Sequence, residues 1–470
     1  MSRRYRPVWR SGVVILAFAG AAGFSAAWAD TLESALIQAY QNNPTLNSQR
    51  AAVRATDEFV PQALAGYRPR VTINASVGEL MQQSTTAVTT VGSTNPYVNL
   101  NGTVTPVTYG ITATQTLFNG FQTSNRTRQA ESQVFAARES LRTTEQTVLL
   151  NAATAYMNLL RDTAIFDLQR RNVEVLQEQL RQTRDRFNVG EVTRTDVAQS
   201  ESRLAAGRSA VLTAEANYKT SAAIYRQVIG KDPQRLTAAT PVDRFSPRTQ
   251  VDAVGAGNAQ HPQVLTAQYN VDGALLQVKV AEGALYPNLS LQGSVQKNLM
   301  SSLTQIETVS TQVLAVATMP LYQGGAEYSA IRQAKETLGQ RRIDLDTARD
   351  QVRQTIVQSW GQLDAAKANI EATQAQVQAA EIALNGVREE ARVGQRTTLD
   401  VLNAQQELVN ARVALVSAQR DRVVASYTLL AAVGRLSPGT LGLSVPTYDA
   451  QVHYHQVRDA WIGVRTPDGR

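Results

Sequence analysis

The 470-residue sequence contains no cysteine. No disulfide can brace it, so packing alone must hold the fold, and no lipidated cysteine can anchor a mature N-terminus as a lipoprotein. Histidine is scarce, with only His261, His453 and His455. No nucleophile elbow, phosphate loop or cluster of metal ligands accompanies them, so neither an enzyme nor a cofactor is expected. His453-x-His455 offers two ligands on a polar tail, too few to make a metal site. Basic blocks interleaved with aromatics are missing, which argues against nucleic acid as a partner. Long apolar runs are missing as well. Beyond the N-terminus none approaches the roughly 20 residues of a spanning helix. If the mature chain enters a membrane, it must do so as a β-barrel.

What is present begins with a leader. Arg3, Arg4, Arg6 and Arg10 precede a short apolar run from Gly12 to Phe24, and Ala27-Trp28-Ala29 supplies a small-x-small cleavage pattern. Residues 1–29 therefore read as a signal peptide cut before Asp30, the alternative being an uncleaved anchor. Loss of those four arginines lowers the formal net charge from +7 to +3. The mature chain is close to balanced, with dispersed charges.

The chain is also duplicated. Asn43-Pro44 matches His261-Pro262, and Arg68-Pro69-Arg70 matches Tyr286-Pro287-Asn288, both 218 residues apart. Further on, Leu117–Gly120 matches Leu321–Gly324, Val189-Gly190 matches Val393-Gly394, and Gly230 matches Gly434, all 204 apart. The change of offset puts an excess of 14 residues between Pro69 and Leu117, as expected of a surface loop. The boundaries follow: a first repeat over 30–245, a second over 246–446 and a C-terminal tail over 447–470. Each repeat reads helix, two strands, long helix, short helix.

The helices carry heptads. Ala152, Leu159, Phe166, Val173, Leu180 and Phe187 recur every seven residues, and Ile356, Leu363, Ile370, Val377 and Leu384 repeat the series. That period means lengthwise coiled-coil packing. Helices from about Gly120 to Asn188 and from about Gly325 to Arg392 are each roughly 100 Å long. The stretches Thr31–Ala65 and Thr193–Ile229 are half as long and fit end to end beside a long one. Between helices, Val71, Ile73, Ala75 and Val77 alternate with Thr72, Asn74 and Ser76. Similar alternation runs through Val107–Thr114 and Leu289–Val295, and less clearly through Thr311–Leu321. Such strands suit an outer-membrane barrel, with lipid outside and water inside, or a half-buried soluble sheet, which is the commoner object. The Thr/Ser/Asn/Gly-rich stretch Ser84–Pro106 reads as an external loop. Four strands cannot close a barrel, since the smallest membrane barrels need about eight. If they cross a bilayer, several chains must share one barrel.

With its duplication, Arg186-Phe-Asn-Val-Gly190, Pro320-Leu-Tyr-Gln-Gly-Gly325 and Val393-Gly-Gln-Arg-Thr-Thr-Leu-Asp-Val-Leu402, the chain resembles the TolC family of outer-membrane factors over roughly Thr31–Val445. The resemblance implies a mixed α and β fold, in which each chain gives four strands to a shared transmembrane β-barrel and its coiled coils to an α-helical periplasmic tunnel. It implies a homotrimer with a twelve-stranded barrel set in outer-membrane lipid. It also implies partners, a periplasmic adaptor and an inner-membrane transporter, for export of drugs or proteins. A soluble periplasmic coiled-coil scaffold or adaptor is the competing reading.

The pattern Val-Gly-x-x-Thr-x-x-Asp-Val occurs at Val189–Val197 and Val393–Val401. Gly190 and Gly394 suit a left-handed helix end, Thr193 and Thr397 suit N-caps, and Asp196 and Asp400 suit the third position of a capping box. The resemblance adds a role for these turns as the periplasmic tip. Asp400 would ring the constriction, and Arg396 would tether the closed tip to Thr195 and Asp196 of the partner turn. Two positions depart from the family pattern: a second acidic ring falls on Asn403, and a tyrosine that would face Asp196 falls on Ala391.

Overall fold

A computed structural model describes residues 30–87 and 97–469. The expected leader, residues 1–29, lies outside the described residues. Among these residues no helix is long and apolar enough to cross a membrane.

The first repeat opens with α1 (Leu32–Asn42), α2 (Pro44–Asp57) and α3 (Phe59–Leu64). The sequence suggested one helix over this stretch. Pro44 breaks it, because proline lacks an N–H and forces the preceding residue out of the helical region. Asn43 takes ψ 123° and caps the next helix through its side chain. β1 (Arg70–Val77), β2 (Leu80–Ala87), β3 (Tyr97–Val104) and β4 (Val107–Asn119) follow, then α4 (Gln122–Asn188) and α5 (Arg194–Ile229). The second repeat runs α6 (Gln250–Gln260), α7 (Pro262–Gly283), β5 (Asn288–Ser302), β6 (Gln305–Thr318), α8 (Ala326–Arg392) and α9 (Thr398–Ala432). A short α10 (Pro438–Leu441) closes the second repeat, and the tail adds α11 (Ala450–Val457). The two long helices have 67 residues each, roughly 100 Å.

The expected loop over Ser84–Pro106 is largely a hairpin. β2 and β3 pair from Leu80↔Val104 to Ala87↔Tyr97 and prolong the β1–β4 ladder, which ends at Val77↔Val107. The Gly78 N–H still donates to the Pro106 carbonyl across the break (3.1 Å). β2 shows no apolar period through Gln82–Thr86, and the alternation of Val98, Leu100 and Val104 in β3 is short and set among Thr, Asn and Gly, which hides the hairpin from a search by period.

The main sheet is antiparallel, in the order β1-β4-β5-β6, so the β4–β5 pair joins the two repeats. Its register sorts the faces. Thr72–Thr112–Ser294–Gln312 and Ser76–Thr108–Asn298–Thr308 make polar rows, while Val71–Ala113–Gly293–Val313 and Ile73–Ile111–Val295–Thr311 make apolar ones. A half-buried soluble sheet would cover its apolar face. Here Ile73 is 77% and Val313 72% exposed, and Val77, Val295 and Val309 are exposed too. β1 and β6 each have one unpaired edge within the chain.

The largest core lies halfway along α4. Ala152, Tyr156 and Leu159 pack there against Leu36, Tyr40 and Leu46 of α1 and α2, Tyr225 and Ile229 of α5, and Tyr427 and Leu430 of α9. This is where α5 ends and α1 begins, with Asn43 Nδ2 donating to the Val228 carbonyl at 3.1 Å. The half-length helices thus stack end to end beside α4. From that girdle the helices project one way to the sheet and the other way to the α4–α5 and α8–α9 turns.

Candidate functional site

The two turns farthest from the sheet are built alike. At the end of α4, Gly190 has φ +84°, and its N–H and that of Glu191 return to the carbonyls of Phe187 (3.0 Å) and Arg186 (2.9 Å). At the end of α8, Gly394 has φ +80°, with matching bonds from Gly394 to Ala391 (3.3 Å) and from Gln395 to Glu390 (2.9 Å). This pair of bonds satisfies the last helix carbonyls and needs a left-handed residue, which glycine supplies without strain.

Each next helix then starts on a capping box. The Thr193 hydroxyl accepts from the Asp196 N–H (3.3 Å), and Asp196 Oδ2 accepts from the Thr193 N–H (2.9 Å) and hydroxyl (2.7 Å). In the second turn Thr397 and Asp400 make the same three bonds at 3.2, 3.0 and 2.9 Å. Thr397's backbone and side-chain donors, with Arg396 nearby, hold the Asp400 carboxyl below the usual carboxylate range. A permanent negative charge therefore stands on an exposed turn at neutral pH.

The copies differ in charge. Arg186 ends α4 and pairs with Glu191 in the turn (2.9 Å). Glu390 holds the equivalent place on α8 and pairs with Arg396 in its turn (2.8 Å). Within the chain Arg396 is thus engaged by Glu390, not by Thr195 or Asp196 as a tether inside one chain would require. Both turns border one cleft of about 930 Å³, lined by Arg186, Glu191, Thr193, Asp196, Ala391, Arg396 and Thr397 among others.

The structure adds contacts that the sequence did not announce. Leu402 of α9 is buried among Leu176 and Leu180 of α4 and Leu204 of α5. Beside it Arg203 Nη2 donates to Asn403 Oδ1 at 2.7 Å, and deeper in, Gln405 Nε2 donates to Asn172 Oδ1 at 3.4 Å. The departure at Asn403 is therefore used: a neutral acceptor there serves a bond between the two hairpins. At Ala391 no side chain reaches across the cleft. Nothing local in the sequence pairs residue 203 with residue 403.

His453 is committed elsewhere. Its Nδ1 lies 3.0 Å from Asp57 Oδ2 on α2, inside the fold. Among the described residues no cluster of His, Asp or Glu is arranged to hold a metal.

A family profile described as outer membrane efflux protein matches residues 35–231 and 257–435, one stretch for each repeat. The chain belongs to the outer membrane efflux protein family. It is 44% identical to the outer membrane efflux protein BepC of Brucella suis over 446 residues, covering 95% of this chain and 94% of that protein. It is 26% identical to the outer membrane protein TolC of Escherichia coli, over 88% of this chain and 84% of that one. The crystal structure of the outer membrane protein VceC from Vibrio cholerae superposes with a TM-score of 0.70 at 19% identity, covering 86% and 96% of the two chains. The chain is therefore a TolC-family outer-membrane factor, with the barrel-plus-tunnel fold expected from its sequence. The family is one of channel and transport proteins rather than enzymes.

Proposed function

We propose that the chain is one third of a passive outer-membrane exit duct, serving a tripartite system for drug efflux, type I protein secretion or both. The observation that carries this is the sheet. It has one polar face and one exposed apolar face, and an unpaired edge at each side. Three such four-stranded sheets, joined edge to edge, make twelve strands around water with lipid outside. Helices of roughly 100 Å then carry the same opening into the periplasm. A soluble scaffold has no use for the uncovered apolar face. Export energy comes from an inner-membrane transporter, reached through a periplasmic adaptor, and the leader ahead of Asp30 directs the chain across the inner membrane.

The tips form the gate in this reading. Asp400 sits at the narrowest point, where three ionised carboxylates gather cations, and Arg396 reaches Thr195 and Asp196 of a neighbouring chain when it leaves Glu390. Detergent-purified protein in a planar bilayer tests both ideas. Asp400→Ala is expected to weaken block by multivalent cations at least several-fold, and Arg396→Ala to raise resting conductance. Unchanged block removes Asp400 from the constriction, and unchanged resting conductance removes the tether. A stable single subunit that stays out of bilayers and conducts nothing sinks the duct as a whole.

A further inference from the structure

The tail follows a definite route. α11 seats His453 against Asp57 (3.0 Å) and buries Val457, and the Arg138 guanidinium lies 5.1 Å over the Tyr454 ring. One turn on, Arg458 Nη2 is 3.8 Å from Glu131 on α4. Arg68 Nη1 then donates to the Ala460 carbonyl at 2.6 Å, and its guanidinium stacks 4.7 Å from the Trp461 ring. Arg54 pairs with Asp468 at 3.7 Å. The α4 partners step from Arg138 to Glu131, toward Gln122 where that helix meets the sheet, and Arg68 stands two residues before β1. The tail therefore climbs from the girdle to the base of the sheet, where Arg68 holds Ala460 and Trp461, and then turns back along α2 to Arg54.

At that level it presents apolar groups to the surroundings. Ile462 and Val464 are fully exposed, and Trp461 is two-thirds exposed although one ring face is held by Arg68. Around them the strand-to-helix junctions expose Tyr67, Phe121, Tyr286, Leu321 and Tyr322. Aromatic side chains gather at the level where a barrel leaves the hydrocarbon, because each has an apolar body and tolerates a polar edge. Indole, isoleucine and valine continue that belt, next to the cations Arg68 and Arg465.

We propose that residues 461–464 are a lipid-contacting anchor, lying in the phospholipid headgroup region of the periplasmic leaflet of the outer membrane. The inference rests on the outer-membrane reading and extends the membrane contact beyond the barrel to the tail. Insertion buries the exposed apolar groups, while Arg68, Glu131 and Asp57 hold the segment at the correct height.

Tryptophan fluorescence in vesicles tests it. The protein is reconstituted in phosphatidylethanolamine–phosphatidylglycerol vesicles in which part of the lipid carries bromine near the top of its acyl chains. A lipid-quenched emission is expected that disappears in Trp461→Phe and persists in Trp360→Phe. Arg68→Ala, which removes the stacking and the carbonyl bond, is expected to reduce that component at least two-fold with conductance unchanged. The proposal is overturned if Trp461 is quenched only by aqueous acrylamide. It is also overturned if Trp461 is shielded from both quenchers, since a neighbouring chain then covers it. Conductance of the same vesicles separates the two levels: conduction without lipid quenching removes the anchor alone, and failure to conduct removes the duct reading as well.

Discussion

His261 and Asn43 hold the same place in the two repeats, and they do the same work with different chemistry. Each precedes a proline, stands outside the helical region and caps the helix that follows. Asn43 Oδ1 accepts from the Thr45 and Leu46 N–H groups at 3.0 and 3.3 Å, whereas His261 Nδ1 accepts from Gln263 N–H at 3.2 Å. An acceptor ring nitrogen must be unprotonated. Burial, with a smaller contribution from Arg142, pushes His261 down to about 4. The unfolded chain takes up its proton near pH 6.5, the folded chain only near 4, so the folded state loses stability as pH falls through that window. Above pH 6.5 the contribution is fully present, and below 4 nothing more is lost. The loss at pH 4 is on the order of 3 kcal/mol. His261→Asn borrows the cap of the other repeat and removes the titration. Denaturant unfolding at pH 7 and pH 4.5 should show a shallower decline for His261→Asn. Burial raises the carboxyls of Glu139 and Glu145, which act in the opposite sense, so the difference between the two proteins isolates the histidine. Equal declines would show that the ring is already charged in the fold.

At the scale of elements, legibility followed the range of the interaction. The long helices were readable to within two residues at each end, because heptads and a terminal glycine are local features: about Gly120–Asn188 was expected and Gln122–Asn188 is found. Both capping boxes formed as expected, since each needs only four consecutive residues. The break in the first helix is marked by Pro44, a residue read only as the counterpart of Pro262 and not as a boundary. The β2–β3 hairpin escaped because β2 carries no apolar period beyond Met81 and the short alternation Val98, Leu100, Val104 in β3 lies among Thr, Asn and Gly. Contacts between the hairpins escaped for another reason: Arg203 and Asn403 are 200 positions apart, and no periodicity links them. Those contacts define how far one hairpin can move against the other. Leu402 fills a pocket formed by Leu176, Leu180 and Leu204, so any outward swing of the α8–α9 turn must empty it. Leu402→Ala is expected to cost about 2–4 kcal/mol at this contact. It should raise hydrogen exchange in the α9 start and raise resting conductance, whereas Leu363→Ala, in the core nearer the girdle, should lower global stability and leave the tip protected. Equal exchange at the tip in both variants would show that Leu402 packs without restraining the turn.

For the whole molecule, the decisive property is that the sheet stops without closing. β1 and β6 lie three strand spacings apart within one chain, roughly 14 Å. A disulfide needs Cα atoms about 4.4–6.8 Å apart. A cysteine on β1 and another on β6 therefore cannot join inside one chain, but they meet across the seam between neighbours if edges pair. The natural chain has no cysteine, so every bond formed under oxidation comes from the introduced pair. Positions on the lumen-facing rows, Thr72 or Asn74 on β1 against Ser310 or Gln312 on β6, leave the lipid face undisturbed. Scanning these pairs locates the register, since a slip of one residue turns a side chain to the opposite face. The ladder on a denaturing gel then reports closure: a ring of three gives linked dimers and trimers and stops there, because the third bond joins the last chain to the first. Species beyond the trimer would mean an open, growing sheet, and bonds confined to monomers would mean that β1 and β6 meet within the chain. Either result would dismantle the shared barrel, and the trimer limit is the outcome expected from four strands a chain.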